Sequence, residues 1–274
     1  MLNDLYHALD PIAFSIGPVN VYWYGLAYIV GAILTGIVMY RTSRRWGLSI
    51  SVDDLSSVVI SVVFGLLIGA RLFYVVFYGR GLEFYLENPL EIIAVNHGGM
   101  SFHGGFVGGV VGGVICCRAL KLSPMTVADL AVVGAPLALA LGRCANFVNG
   151  ELWGKPTDLP WGVVFETGGA VARHPSQLYE ALLEGVVLFV VLYAMSRRNP
   201  PHFQGTYLGT FAVGYGIARF CVEFVRMPDA QLGYLAGGWL TMGQVLSLPV
   251  IAAGIAVIVW SMRRRRPQTD YMGK

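Results

Sequence analysis

A short polar stretch that follows an apolar run carries the residues best suited to chemistry. Residues 142–154 read GRCANFVNGELWG, and polar groups beside a membrane span are costly enough that they usually mark a site. If the preceding helix continues for one more turn, Arg143 and Asn146 share a face suited to clasping phosphate oxygens. Glu151 is placed to orient an arginine, and Gly154 fits a tight backbone turn.

A second group of charges lies inside a later apolar run. Arg219, Glu223 and Arg226 are spaced i, i+4, i+7, which places them on one stripe of a helix. Because a carboxylate one turn away can hold an arginine in hydrocarbon, a structural role as the partner of Arg219 explains Glu223 well. An arginine inside a span costs about 2.5–3.5 kcal/mol on insertion scales. Arg219 is therefore a candidate site residue.

Four further residues have competing explanations. His103 stands among glycines in HGGMSFHGG, and an unperturbed pKa of about 6.5 suits a proton acceptor, although a local hydrogen bond explains a histidine at a helix start equally well. Tyr24 belongs either to the site or to an aromatic belt. Arg71 either has a structural partner, extends its charged end toward the membrane surface or takes part in catalysis. Asp129 either pairs with a cation or caps a helix. Neither Arg71 nor Asp129 enters the predicted site.

The elements that must position these residues are membrane helices. The chain has 274 residues, of which 55% are hydrophobic and 13% charged, and its mean hydropathy is +0.62. Several apolar runs reach the roughly 20 residues that a helix needs to cross a bilayer, whereas a barrel would show short alternating segments. The composition predicts an all-α polytopic membrane protein with seven spans, near residues 18–40, 53–78, 100–118, 124–142, 176–196, 204–225 and 241–262.

The distribution of cations predicts the orientation of these spans. The net charge is only +3 and forms no spread basic face, which argues against a nucleic-acid partner. Twelve of the 19 cations fall on one side, which the positive-inside rule makes the cytoplasm, with the N-terminus outside and the C-terminus inside. The first eleven residues contain no Lys or Arg, so a cleavable signal peptide is not expected. The twelve are Arg41, Arg44, Arg45, Arg118, Lys121, Arg197, Arg198, Arg263, Arg264, Arg265, Arg266 and Lys274.

The longer connecting segments lie on the outer side of this topology. We expect residues 143–175 to form a small extramembrane cap within a single membrane domain of residues 1–274. The third span carries two rows of glycines spaced four apart, 104/108/112 and 105/109/113. Such rows are typical of a close helix-packing seam; the alternative is a helix thinned so that a lipid lies against it.

Two arginines, a histidine and supporting carboxylates thus converge toward the outer leaflet, and such a pocket suits a phospholipid head group. The sequence lacks the aspartate cluster of Mg²⁺-dependent phosphotransferases and a G-x-S-x-G serine elbow. No metal or soluble cofactor is expected. A lipid transporter or flippase is the main alternative, but it predicts inverted repeats and polar residues at both faces. An intramembrane protease is weaker, since no serine is placed convincingly beside a histidine.

The motifs HGGMSFHGG, GRCANFVNGELWG, RHPSQLYEALLEG and GYGIARFCVEFVRMPD, in this order, strongly resemble bacterial prolipoprotein diacylglyceryl transferases. The resemblance runs from about Phe14 to about Pro249. It implies an enzyme of the bacterial inner membrane, with its site toward the periplasmic leaflet and a periplasmic cap. That family moves the diacylglyceryl group of phosphatidylglycerol to the lipobox cysteine of preprolipoproteins, which forms a thioether and releases glycerol 1-phosphate in the first step of lipoprotein maturation.

The resemblance also implies residue roles. It places the family's essential histidine at His103, its signature arginine at Arg143 and its second arginine at Arg219. The supporting positions fall on Tyr24, Asn146, Glu151, Gly154 and Glu223. The hypothesis is that His103 takes the thiol proton while the arginines clamp the phosphate, held in register by Glu151 and Glu223. The exchanged roles, with an arginine activating the thiol and His103 orienting the head group, remain open.

Overall fold

The computed structural model describes residues 1–94, 98–228 and 233–271, and it is mostly helical. Lys274, one of the cations used to predict orientation, lies outside the described residues. The helices are α1 Leu2–His7, α2 Trp23–Arg45, α3 Val52–Phe77, α4 Leu82–Glu87, α5 Phe102–Ala119, α6 Pro124–Val148, α7 Ser176–Glu180, α8 Leu188–Ser196, α9 Thr206–Val222 and α10 Met242–Arg264. A π-helical segment, Ala181–Val187, joins α7 to α8, and short 3₁₀ turns occupy Pro89–Ile92 and Glu166–Gly168.

Six helical stretches among the described residues are long and apolar enough to cross a membrane, and each overlaps a predicted span. They are Trp23–Arg45, Val52–Phe77, Phe102–Ala119, Pro124–Val148, Ser176–Ser196 and Met242–Arg264. The remaining predicted span, 204–225, contains α9, whose 17 residues make it the shortest of the seven. The multi-pass helical class is therefore confirmed, whereas the count of seven stays a prediction.

Two short hairpins were not predicted from the sequence. Strands β1 Ile12–Ile16 and β2 Val19–Tyr22 pair in an antiparallel manner just before α2. Strands β3 Tyr234–Ala236 and β4 Leu240–Thr241 do the same just before α10. The strands are two to five residues long, and too few residues alternate in polarity to give a period-two signal.

The chain forms two compact units, one of residues 47–127 and 269–274 and the other of residues 1–46 and 128–268. In the first unit the glycine rows of α5 are a packing seam against α3, as one of the two alternatives predicted. A β-carbon added to Gly108 would lie 2.8 Å from Gly69 Cα and still closer to Gly65 O. Side chains in the row 104/108/112 would therefore force the two helices apart, whereas the nearest atoms to the row 105/109/113 lie at 3.0–3.5 Å.

Arg71 has a structural role in the same unit. Its buried guanidinium donates to the carbonyl oxygens of Ile92 (2.9 Å), Gly98 (2.6 Å) and Gly99 (2.9 Å), and to that of Glu91 (2.5 Å). Because a guanidinium carries five N–H donors in a fixed fork, it can hold several carbonyls at once. Of the three hypotheses for Arg71, the structural role agrees with these contacts.

The second unit also relies on small residues where its helices meet. A β-carbon on Gly31 of α2 would lie 2.7 Å from Ala138 Cβ of α6, and one on Gly185 of the π-helical segment would lie 2.5 Å from Ala140 Cβ. Gly209 of α9 has a similarly close neighbour in α10. Close approach between these backbones places the ends of α6, α7 and α9 side by side.

Asp129 caps α9 from a neighbouring helix. It lies in α6 and is fully buried, and its carboxylate accepts hydrogen bonds from the backbone N–H groups of Gly205 (2.7 Å) and Leu208 (2.8 Å). Gln268 Nε2 donates a third hydrogen bond to it at 2.7 Å. A carboxylate at a helix N-terminus satisfies backbone donors that have no partner within the helix, so Asp129 performs the capping role that was considered for it.

The segment predicted to form a cap has its own small hydrophobic core. Its first residues, up to Val148, belong to α6, and the chain from Asn149 to Pro175 is irregular, apart from one 3₁₀ turn and isolated bridges. The core is formed by Tyr6, Phe147, Val163 and Phe165, with Leu2, Trp153 and Leu178 packed against it. Helix α1 is thereby tied to this segment.

Candidate active site

A buried cluster of three arginines and three glutamates lies where the ends of α6, α7 and α9 meet. Arg143 lies near the end of α6 and Arg219 near the end of α9, with Glu223 and Arg226 just beyond it. Glu180 ends α7, and Glu184 follows within the π-helical segment. A π-helical turn widens the backbone and is frequent at functional sites.

The ion pairs of this cluster converge on Glu180. Its Oε2 lies 3.0 Å from Arg143 Nη1, and its Oε1 lies 2.6 Å from Arg219 Nη1 and 3.0 Å from Arg226 Nη1. Glu184 Oε2 accepts from Arg143 Nη2 at 3.2 Å. One carboxylate therefore joins the two arginines that the sequence identified.

Glu223 closes the cluster on its other side. Its Oε1 lies 2.6 Å from Arg219 Nη2, so the i, i+4 pairing expected from the sequence is present. Arg226 Nε is 4.0 Å from the same oxygen, and the Thr241 hydroxyl donates to Glu223 Oε2 at 2.5 Å. Glu223 thus fixes one arm of the Arg219 fork while Glu180 fixes the other.

The arginines face the accessible side of the cluster and the carboxylates lie behind them. The side chains of Arg143 and Arg219 are each 17% exposed, whereas those of Glu180 and Glu184 are 0% and that of Glu223 is 4% exposed. Each guanidinium keeps N–H groups beyond the two nitrogens engaged by carboxylates. A ligand that approaches from this side meets positive donors, a suitable arrangement for a phosphate.

Beside Arg219 lies a small pocket with an accessible volume of about 10 Å³. Its wall is formed by Arg219, Glu223, Met227, Pro228, Gly233, Thr241, Met242 and Gly243. A space of this size holds about one water molecule.

Glu151 does not orient an arginine, contrary to the prediction. Its Oε1 accepts from Asn146 Nδ2 (2.8 Å) and Asn149 Nδ2 (3.3 Å), and the ion pairs within the described residues do not include it. Gln177 Nε2 donates to the Glu151 carbonyl at 2.6 Å. The role expected of Glu151 falls instead to Glu180 and Glu184. Helix α6 does continue past Arg143, as required for Asn146 to share its face.

Gly150 and Gly154, both after α6, serve different purposes. Gly150 has a φ of +67°, in the left-handed region that favours glycine, and it ends the turn after α6. Gly154 forms an isolated antiparallel β-bridge with Arg226. A β-carbon on Gly154 would lie 2.6 Å from Val225 O and 2.7 Å from His174 O. A side chain at position 154 is therefore excluded by close packing, and not by the conformation of a turn. Burial lowers the pKa of His174 next to it.

The other predicted site residues, Tyr24 and His103, lie in the first turns of their helices. Tyr24, in the first turn of α2, has its hydroxyl 3.2 Å from that of Tyr28, and Tyr28 in turn interacts electrostatically with Arg143 and Glu151. His103 lies in the first turn of α5, in the other compact unit, and its side chain is exposed. The Ser101 hydroxyl, not His103, caps this helix by accepting from Gly104 N. The convergence of His103 with the arginines stays a prediction.

Sequence reasoning missed Glu180 and Glu184. Both lie in the motif RHPSQLYEALLEG, in an otherwise apolar span, at an i, i+4 spacing. An acidic residue within a span is as unusual as an arginine, and two on one helix face are a signal that a cationic partner lies opposite. Among the described residues, groups of three or more His, Cys, Asp or Glu side chains that could hold a metal ion are absent.

Comparison with known proteins identifies close relatives over nearly the whole chain. A family model described as prolipoprotein diacylglyceryl transferase matches residues 11–260. A phosphatidylglycerol–prolipoprotein diacylglyceryl transferase of Solidesulfovibrio magneticus is 49% identical over 267 residues, which cover 95% of this chain and 96% of the relative. Proteins of the same name from Geobacter sulfurreducens (47% identical; 94% and 97% covered) and Pseudomonas paraeruginosa (46% identical; 96% and 97% covered) are also similar.

Proposed function

Since the chain belongs to the prolipoprotein diacylglyceryl transferase family, we propose that it transfers the sn-1,2-diacylglyceryl group of phosphatidylglycerol to the lipobox cysteine of preprolipoproteins. The product is a thioether, and glycerol 1-phosphate is released. This is the first step of bacterial lipoprotein maturation. The protein is thus a membrane transferase.

The observation that carries this proposal is the buried cluster in which two partly exposed arginines share one carboxylate. Arg143 and Arg219 share the Glu180 carboxylate, at 3.0 and 2.6 Å, and the side chain of each arginine is 17% exposed. The phosphodiester of phosphatidylglycerol carries one negative charge. A second negative charge develops on the phosphate as the bond between glyceryl C3 and the ester oxygen breaks. Donors held in place before the reaction stabilise such charge without reorganisation.

The chemical step is a nucleophilic displacement at carbon. The cysteine thiolate forms an S–C bond with glyceryl C3 while the C3–O bond breaks, and its electron pair leaves on the phosphate oxygen. Because a free thiol has a pKa of about 8.5, a base must take its proton. We assign that role to His103, directly or through water, and the clamp on the phosphate to Arg143 and Arg219.

Glu223, Asn146, Glu151, Gly154 and Tyr24 support the site in this proposal. Glu223 holds Arg219 at 2.6 Å. Asn146 and Glu151 hold each other at 2.8 Å and shape the turn after α6. Gly154 permits the close backbone contact with Arg226. Tyr24 is assigned to the lipid head group through its hydroxyl.

We further place the protein in the bacterial inner membrane, with seven spans, the N-terminus and residues 143–175 in the periplasm, and the C-terminus in the cytoplasm. Helix α9 has 17 residues, close to the lower limit of about 17–25 for a spanning helix. Three further residues continue its last turns to Val225. The excess of Lys and Arg on the side of the C-terminus supports this orientation, because such residues are more frequent in cytoplasmic loops.

The test is reconstitution of the pure protein in liposomes that contain phosphatidylglycerol with labelled acyl chains, together with a lipobox peptide. We expect a labelled diacylglyceryl peptide and an equal amount of glycerol phosphate. A peptide with serine at the lipobox cysteine, and liposomes of phosphatidylcholine alone, are the matched controls. Movement of labelled lipid between leaflets without thioether formation would instead identify a flippase and reject the proposal.

A further inference from the structure

The structure assigns Glu180 as the positioning residue that sets the distance between Arg143 and Arg219, an inference that rests on the function proposed above. Of the three glutamates, Glu180 alone is within ion-pair distance of both of these arginines, among the residues that the structure describes. It uses a different oxygen for each, Oε2 for Arg143 and Oε1 for Arg219. The contact of Oε1 with Arg219 is a hydrogen bond and that of Oε2 with Arg143 is an ion pair at 3.0 Å, so one carboxylate links the two guanidinium groups.

The burial of Glu180 makes this bridge stiff. Its side chain is 0% exposed, and it ends α7 where the backbone changes to the π-helical segment. A buried carboxylate that loses a cationic partner is strongly disfavoured, so the bridge holds against thermal motion. The residue does not face the accessible side, and it acts on the reaction only through the arginines.

The six charged groups also explain why a carboxylate is needed here. Arg143, Arg219 and Arg226 balance Glu180, Glu184 and Glu223, so the cluster is neutral when all six are ionised. Without Glu180, two guanidinium groups would repel each other at the place where it now separates them. They would then present their donors to the phosphate at a different spacing.

Glu180→Gln tests the bridge with little change of shape. An amide has one acceptor oxygen and one donor nitrogen, so whichever way it turns, one arginine faces a donor. We expect kcat to fall by about 10- to 100-fold as the clamp loses its geometry. The KM for phosphatidylglycerol should stay equal or fall, because the cluster gains positive charge while its exposed donors remain.

A double-mutant cycle separates positioning from a merely structural role. If Glu180 acts through both arginines, the effects of Arg143→Lys and of Arg219→Lys should each be smaller in the Glu180→Gln background than in the wild-type background. The matched control is Glu184→Gln, since Glu184 contacts Arg143 at 3.2 Å. Because Glu184 also interacts electrostatically with Arg219, although without an ion pair, it should couple strongly to Arg143→Lys and only weakly to Arg219→Lys.

The outcomes are distinct. Multiplicative effects of Glu180→Gln with either lysine variant, or a fall in kcat no larger than that of Glu184→Gln, would overturn the inference. If Glu180→Gln does not yield a monodisperse protein, the same cycle is run with Glu180→Asp, which keeps the charge but is too short to bridge; wild-type turnover of Glu180→Asp would also overturn it. Absence of transfer by the wild-type protein would instead reject the proposed function, independently of the variants.

Discussion

Replacement of Arg219 by lysine probes the clamp at the residue that the structure holds most tightly. Arg219 uses Nη1 for Glu180 and Nη2 for Glu223, both at 2.6 Å, and it is 17% exposed. A lysine keeps the positive charge, but its single ammonium cannot occupy both positions of the fork. It therefore loses either the hydrogen bond to Glu180 or the ion-pair contact with Glu223, and its remaining donors move away from the phosphate.

The size of the effect follows from the lost interaction. A hydrogen bond to a charged group contributes about 1.5–3 kcal/mol, and each ~1.4 kcal/mol of transition-state stabilisation is a factor of about ten in rate. We therefore expect kcat/KM to fall by about 10- to 150-fold. Most of the loss should appear in kcat, because the donors act on charge that develops as the phosphate ester leaves.

The assay follows labelled diacylglyceryl transfer to a lipobox peptide in liposomes at several phosphatidylglycerol concentrations. Arg44→Lys is the matched control, because Arg44 is exposed and its guanidinium lies over the Tyr40 ring at 5.1 Å from the centroid, away from the cluster. It should retain wild-type rates. A folded Arg219→Lys protein whose kcat/KM lies within about twofold of wild type, less than ~0.5 kcal/mol, would refute the clamp.

Three further predictions concern stability. Gly108→Ala should lower the melting temperature in detergent, since a β-carbon there collides with the facing helix, whereas Gly25→Ala, with no neighbouring atom within 4 Å, should not lower it. Asp129→Asn should destabilise the protein by about 1–3 kcal/mol, because an amide cannot accept all three hydrogen bonds, and hydrogen exchange should rise at the start of Thr206–Val222; unchanged protection there would contradict the capping role. Burial lowers the pKa of His174, so the folded state binds a proton at this residue less readily than the unfolded state does. Stability should therefore decrease as the pH falls below the ordinary histidine pKa of about 6.5. His174→Gln should flatten that part of the profile of melting temperature against pH, and an identical profile would show that His174 does not contribute.

The sequence by itself determined the class of the protein, the approximate spans and its family. Long apolar runs leave little choice of structure in a bilayer, because every backbone polar group must be satisfied within a helix. Relationships within one helix were also predictable, as the Arg219–Glu223 pair at 2.6 Å shows, since residues one turn apart are neighbours whatever surrounds them. The glycine rows of α5 belong to the same kind of local information.

Only the tertiary structure decided which charges meet across helices. Glu180 lies 37 residues from Arg143 and 39 from Arg219 in sequence, and the hydrophobic period of a span says which face is apolar but not which helix lies opposite. Glu151 was therefore assigned to an arginine because it is near one in sequence, whereas in the structure it turns to Asn146. The cap that Asp129 provides for α9 depended on helix neighbours in the same way. Ion pairs and caps between helices are set by the packing of the backbones. Small residues such as Gly31 and Gly185 permit that packing, but their positions in the sequence do not indicate which helix packs against them.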